Sequence, residues 1–188
     1  MKSLVRTATA FAAVGLLAAC AGGTTVISNE YRSSTYDPKV LNYPAGKGRL
    51  YTEVVGHPFG GPDDALAARV LSTFEKAHFG NPVPLTTDPA QVEKSGGYRL
   101  VALFDPAIDI NYGDVCAGNR KQQPASGGET TVLLTYCLGN KAITSVRARQ
   151  SGLGGVDDPA FEGFLAQASS ALFPPRPEER QDRGDFDT

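Results

Sequence analysis

Residues 130–138, TTVLLTYCL, and residues 141–149, KAITSVRAR, stand either side of Gly139-Asn140. Both runs are rich in β-branched and aromatic residues, and a Gly-Asn pair between two such runs signals a two-residue β-hairpin. Counting outward from that turn sets Cys137 beside Ala142 and Tyr136 beside Ile143, which places Leu133 and Cys137 on one face with Val146 and Ala148. Upstream, residues 98–104, YRLVALF, are apolar on both alternations apart from Arg99, the pattern of a strand covered on both faces. Asp105-Pro106 ends that run. Residues 49–56, RLYTEVVG, alternate as a further strand, with Leu50, Thr52 and Val54 on one side and Tyr51 and Val55 on the other.

Two stretches carry the helical period. After Gly60-Gly61-Pro62, the residues Leu66, Ala67, Val70, Leu71, Phe74 and Ala77 recur at helical spacing, and Pro62, Asp63 and Asp64 suit the first turn. This predicts a helix over 62–78. Asp157-Asp158-Pro159 then reads as an N-cap followed by proline in the first turn, ahead of the apolar stripe Phe161, Phe164, Leu165, Ala168, Ala171 and Leu172. The order β-α-β-β-β-α predicts an α+β fold, a two-layer sandwich with two helices on one face of a mainly antiparallel four-stranded sheet. The domain spans residues 49–173. Residues 20–48, rich in Gly, Ser, Thr and Pro, read as a flexible tether, and 174–188 as a disordered charged tail.

Composition narrows the function. The chain of 188 residues carries 18 Lys+Arg against 20 Asp+Glu, a net charge of −2, which provides no field to draw in nucleic acid. A hydrophobic content of 41% excludes global disorder.

Lys2 and Arg6 precede an uncharged run over 7–19, TATAFAAVGLLAA, which has the form of a secretory signal and is too short to span a bilayer. It ends Leu17-Ala18-Ala19-Cys20. Here the sequence resembles bacterial lipoprotein precursors, whose lipobox is a branched apolar residue, two small residues and Cys. The resemblance implies that residues 1–19 are a signal peptide and that Cys20 is acylated on its sulfur and, after cleavage, on its amine. Ala21, which is not Asp, implies the inner leaflet of the outer membrane, facing the periplasm; the periplasmic face of the inner membrane and the cell surface are the alternatives. Leu103-Phe104-Asp105-Pro106, the two cysteines Cys116 and Cys137, Asp158-Pro159 and Leu172-Phe173-Pro174-Pro175 are similar to a group of small bacterial lipoproteins, a resemblance that brings no activity with it. The layout is also similar to outer-membrane assembly lipoproteins and transporter-auxiliary lipoproteins, at the level of fold alone.

In an exported chain with Cys20 acylated, Cys116 and Cys137 are left to pair as a disulfide. The competing metal or redox readings lack further ligands at suitable spacing and a C-x-x-C motif. Arg120, Lys121, Arg147 and Arg149 are candidates for meeting lipid headgroups or an acidic partner, against a solvated sheet face as the plain alternative. Asp105, Asp109, Asn111 and Asp114 gather oxygen atoms, but the Glu that closes a calcium loop is missing. His57 and His78 have no nucleophile in a known motif beside them. Gly152–Gly155 precedes a helix, yet Asp157 and Asp158 would repel a phosphate there. The connection from Asp105 to Gly128 exceeds ordinary loop length and is the expected recognition surface. These readings point to a non-enzymatic envelope lipoprotein that binds a protein or lipid, with no cofactor and no metal. The alternative is a periplasmic hydrolase using the loop carboxylates or His57.

Overall fold

The computed structural model describes residues 23–77, 83–124 and 127–174. Within them lie β1 (Val26–Arg32), a 3-10 turn (Pro38–Leu41), α1 (Asn42–Gly46), β2 (Leu50–Val55), α2 (Asp63–Ala77), β3 (Leu85–Thr86), α3 (Gln91–Lys94), β4 (Tyr98–Phe104), α4 (Tyr112–Cys116), β5 (Glu129–Leu138), β6 (Lys141–Ser151) and α5 (Pro159–Leu172). The strands make one six-stranded mixed sheet in the order β1-β6-β5-β4-β2-β3. The pairs β1–β6, β6–β5 and β5–β4 are antiparallel, whereas β4–β2 and β2–β3 are parallel.

This corrects the expected four-stranded, mainly antiparallel sheet with two helices. The route from β2 through α2 returns at the end where β2 began, so β4 must run beside β2 in parallel. The two extra strands come from stretches read as connections. β3 has only two residues and follows Pro84. β1 lies inside the segment read as a tether, and its alternation is interrupted by a bulge between Ser28 and Tyr31, where Asn29 has φ 49°.

A second bulge corrects the hairpin register. Cys137 does pair with Ala142, but Tyr136 pairs with Thr144, so one extra residue sits at Ile143. Because side chains alternate with period two, that single insertion exchanges the faces of everything beyond it. Leu133 therefore stands beside Arg147, and Leu134 beside Val146. The slip turns Val146 and Ala148 toward the helices and gives Leu133 and Cys137 to the other face.

The helix-bearing face holds the larger core. Leu100, Ala102, Phe104, Val132, Leu134, Tyr136, Val146 and Ala148 meet Val70 and Phe74 of α2 and Phe161, Phe164, Leu165 and Leu172 of α5. Asp158 caps α5 as its residue types suggested: its carboxylate accepts from the Ala160 amide at 2.8 Å. Arg69 of α2 ties the helices together, reaching Glu162 at 3.2 Å and Asp157 at 3.1 Å.

The second face has its own core of Val101, Leu103, Leu133 and Cys137, covered by Ala107, Ile110, Val115 and Cys116 from the segment after β4. The disulfide between Cys116 and Cys137, with Cα atoms 5.7 Å apart, pins α4 to β5. Replacing both cysteines with Ala releases this cover from its strand. Loop-closure entropy for a bridge of this separation predicts a loss of about 3 kcal/mol, to be read as a lower urea midpoint than wild type under oxidising conditions and as convergence of the two curves once reductant is added.

Candidate functional site

The segment from Asp105 to Pro124 leaves β4, folds back over the second sheet face and ends beside its starting point. Asp105 sets the reversal with a left-handed backbone, φ 45°. Its amide donates to the Thr131 carbonyl at 2.8 Å, and its carboxylate accepts from the Thr131 amide at 3.3 Å. Burial pushes the Asp105 carboxyl above the usual carboxylate range, partly offset by that hydrogen bond. The Ala107 amide donates to the Lys121 carbonyl, and the Gln122 amide group donates to the Phe104 carbonyl at 2.9 Å, closing the base of the loop. Asn111 and Asp114 form a reciprocal capping box at the start of α4.

Three arginines hold this cover. Arg99 of β4 donates to the Cys116 carbonyl and to the Gly139 carbonyl at 2.9 Å. Arg147 of β6 donates to the Ile110 carbonyl at 2.9 Å. Arg120, inside the loop, donates to the Val115 carbonyl and makes a two-point contact with Glu53 of β2, at 2.7 and 2.6 Å. Burial holds Arg99 and Arg147 below the ordinary arginine range; for Arg99 the nearby Arg120 adds to the effect.

Where the cover meets edge strand β1, a cleft of about 340 Å³ opens, lined by Asn29, Glu30, Tyr31, Ile110, Asn111, Tyr112, Leu133 and Arg147. Its wall is a stacked pair, Tyr31 on Tyr112, with ring centroids 3.8 Å apart and planes 12° from parallel. The cleft combines aromatic faces, amide groups, a carboxylate and a guanidinium around an apolar floor, a surface suited to holding a partner by stacking and hydrogen bonds.

The sequence candidates scatter around this geometry. Arg147 is in the cleft. Arg120 is committed to Glu53, and Lys121 lies 2.9 Å from Asp109 in an exposed pair. Arg149 is exposed on the same sheet face as Arg147, opposite Thr131 and Val26. Of the four basic residues, Arg120 and Lys121 are thus paired with carboxylates, and Arg147 and Arg149 share one face of the sheet. The oxygen-bearing residues diverge as well: Asp105 serves Thr131, Asp109 serves Lys121, and Asn111 and Asp114 serve α4. Among the described residues, no group of three His, Cys, Asp or Glu side chains is placed to hold a metal ion. His57 sits elsewhere, with Nδ1 2.9 Å from exposed Asp63. At the glycine-rich entry to α5, the Asp158 carboxylate itself accepts from the Gly154 amide at 2.7 Å, and its two backbone hydrogen bonds hold it below the usual carboxylate range. Cys20 and His78 lie outside the described residues.

Tyr112, Asn29 and Glu30 are not among the sequence candidates, whereas Tyr31, with Tyr36 and Tyr43, is one of the aromatics that leave room for part of the 20–48 segment to pack on the domain. The available signal was the aromatic content of the supposed tether, which hinted at packing on the domain without giving a partner.

No protein-family model matches the chain, and no curated protein sequence matches it. Among solved structures it is similar to the PelC dodecamer from Paraburkholderia phytofirmans, with a TM-score of 0.45 and 10% identity over 82% of this chain and 100% of that one. A variant of the same protein gives a TM-score of 0.43 and 12% identity over 80% and 97% of the two chains. Among the described residues no helix is long and apolar enough to cross a membrane.

The two kinds of basic residue separate by mutation. Arg120→Ala leaves Glu53 and the Val115 carbonyl without their partner and is expected to cost about 2 kcal/mol, whereas Arg149→Ala stays within about 0.5 kcal/mol, both measured by urea unfolding. Asp105 supplies a pH signature. Its folded-state value is raised, so the stability tied to its proton is complete below the unfolded value, about 3.9, and is lost as pH rises through the folded value. Asp105→Asn keeps the acceptor and tolerates the left-handed backbone. It should exceed wild type in stability at neutral pH, with the gap closing on acidification, read from unfolding midpoints across pH.

Proposed function

We propose that the protein is a non-enzymatic, membrane-anchored envelope lipoprotein that holds a protein or lipid partner in the cleft between β1 and the cover of the second sheet face, on the periplasmic side of the outer membrane. The observation that carries the anchored part of this reading is Leu17-Ala18-Ala19-Cys20 at the end of a short apolar run. Two or more acyl chains on Cys20 give stable membrane attachment, where one would bind reversibly. The binding part rests on the cleft. The wall contributed by the cover is held by a disulfide and three arginines, which lowers the ordering needed when a partner enters. Each carboxylate of the 105–124 segment serves as cap, turn or ion-pair partner, which favours a binding surface over a reaction centre.

Two measurements test this. Protein extracted from membranes should show an intact mass that includes acyl groups on a chain beginning at Cys20, and Cys20→Ser should move it into the aqueous phase; an unmodified terminus overturns the anchor. Crosslinking of the acylated chain in cells, followed by mass spectrometry, should yield a defined partner that contacts Tyr31 or Tyr112. Tyr112→Ala removes one ring of the stack and should lower that yield at least about tenfold, the equivalent of some 1.4 kcal/mol, while the fold persists by circular dichroism. An unchanged yield would place the partner elsewhere.

A further inference from the structure

The start of the described chain sits on the domain itself. β1 begins at Val26, and Gly23 lies so close to the Ser151 carbonyl at the end of β6 that a side chain there would collide with it. The Thr25 hydroxyl donates to the Gln150 side chain. Only three residue steps separate Cys20 from Gly23, and three fully extended residues reach about 11 Å. A leash of that length fixes which part of the domain meets the bilayer. It is the end of the sheet where β1 and β5 begin and where β4 and β6 finish.

That end has two unlike sides. On the helix side lie the starts of α2 and α5, carrying Asp63, Asp64, Asp157 and Asp158. On the other side lie exposed Arg149, Val26 opposite it in β1 and 41% exposed, and the turn that follows β4. That turn is closed by the Ile110 amide on the Ala107 carbonyl, and at its tip Ile108 is 90% exposed, the most exposed large apolar side chain among the described residues. Its neighbour Asp109 is neutralised by Lys121. An isoleucine so placed gains nothing from the fold and would gain from an acyl-chain boundary. Anionic headgroups repel the acidic side, whereas on the other side Glu129, one alternation from Thr131 on the same face, offsets Arg149.

We propose that this end of the sheet is a lipid-facing surface. On it Ile108 enters the interfacial layer, with Val26 and Arg149 on the same end and face of the sheet, so that the leash and Ile108 together hold the domain in one orientation on the membrane. The proposal rests on acylation of Cys20. One isoleucine does not recruit the chain; it orients a chain already anchored.

The sequence contains no Trp, so a single introduced Trp reports its own surroundings without background. Ile108→Trp and, as the opposite-end control, Leu138→Trp at the tip of the β5–β6 hairpin are prepared as full acylated chains. Each is placed in vesicles of phosphatidylethanolamine and phosphatidylglycerol, with and without brominated lipid. Both sites are exposed, so both variants should fold as wild type. The expected result is a blue-shifted emission for Ile108→Trp that brominated lipid quenches, and an unshifted, unquenched emission for Leu138→Trp. Quenching of Leu138→Trp, or of neither, in a chain whose intact mass shows acylation overturns the lipid-facing surface and leaves the anchor standing. A mass without acyl groups overturns the anchor itself and this proposal with it.

Discussion

The two central strands, β4 and β5, are apolar on both faces, and the rest of the architecture answers that constraint. α2 and α5 cover one face. No third long helix exists for the other among the described residues, so the chain after β4 turns back across its own sheet. Turning back exposes backbone carbonyls near an apolar surface, and a carbonyl left without a donor there is costly. Arg99, Arg120 and Arg147 supply the donors at Cys116, Val115 and Ile110. Arg99 and Arg147 reach from the sheet to the loop, whereas Arg120 reaches from within the loop to the loop's own carbonyls and to Glu53 of β2, a role Lys fills less well because its ammonium is a point charge without a planar fork. Arg99, Arg120 and Arg147 are therefore structural, and the cleft lies where the cover meets β1 through the Tyr31–Tyr112 stack.

β1 completes the sheet and changes the meaning of the segment that contains it. An open strand edge on β6 would invite pairing with other chains. β1 covers that edge, and its own outer edge is interrupted by the bulge at Asn29. The same bulge brings Tyr31 onto the face where Tyr112 waits. One irregularity thus blunts an edge and builds the aromatic wall of the cleft. At the other end of the sheet, the two-residue β3 leaves little edge to pair with.

Long periodic elements were readable from the residues: α2, α5, β4 and the β5–β6 hairpin lie where their patterns put them. Apolar residues on both alternations of YRLVALF implied two covers, and two covers exist. Three features escaped because each breaks a period. The bulge at Ile143 is invisible to counting from the hairpin turn, yet it decides the face of every residue beyond it. The bulge in VISNEYR hides a strand in a stretch whose Gly, Ser and Thr content resembles a linker. β3 is too short to have a period. Of the basic candidates, charge alone could not separate Arg120, held by Glu53 across 67 positions of sequence, from Arg149, which stays exposed.

Anchor and second core depend on the same history. The cover of the second face rests on a thiol pair that oxidises outside the cytoplasm, and in the proposed reading Cys20 is acylated only on export. Without the bridge, the segment 105–124 would have only its apolar contacts and arginine hydrogen bonds to hold it, and the unfolded chain would lose a constraint. The turn bearing Ile108 belongs to that same cover, so the tip proposed to meet lipid is fixed in place by Cys116 and Cys137. Oxidation would thus set the lipid-facing surface at the stage when a membrane is within reach of an 11 Å leash. A cover closed at any stage buries the second core, but in the proposed reading the orientation it defines has meaning only once the amino terminus is held.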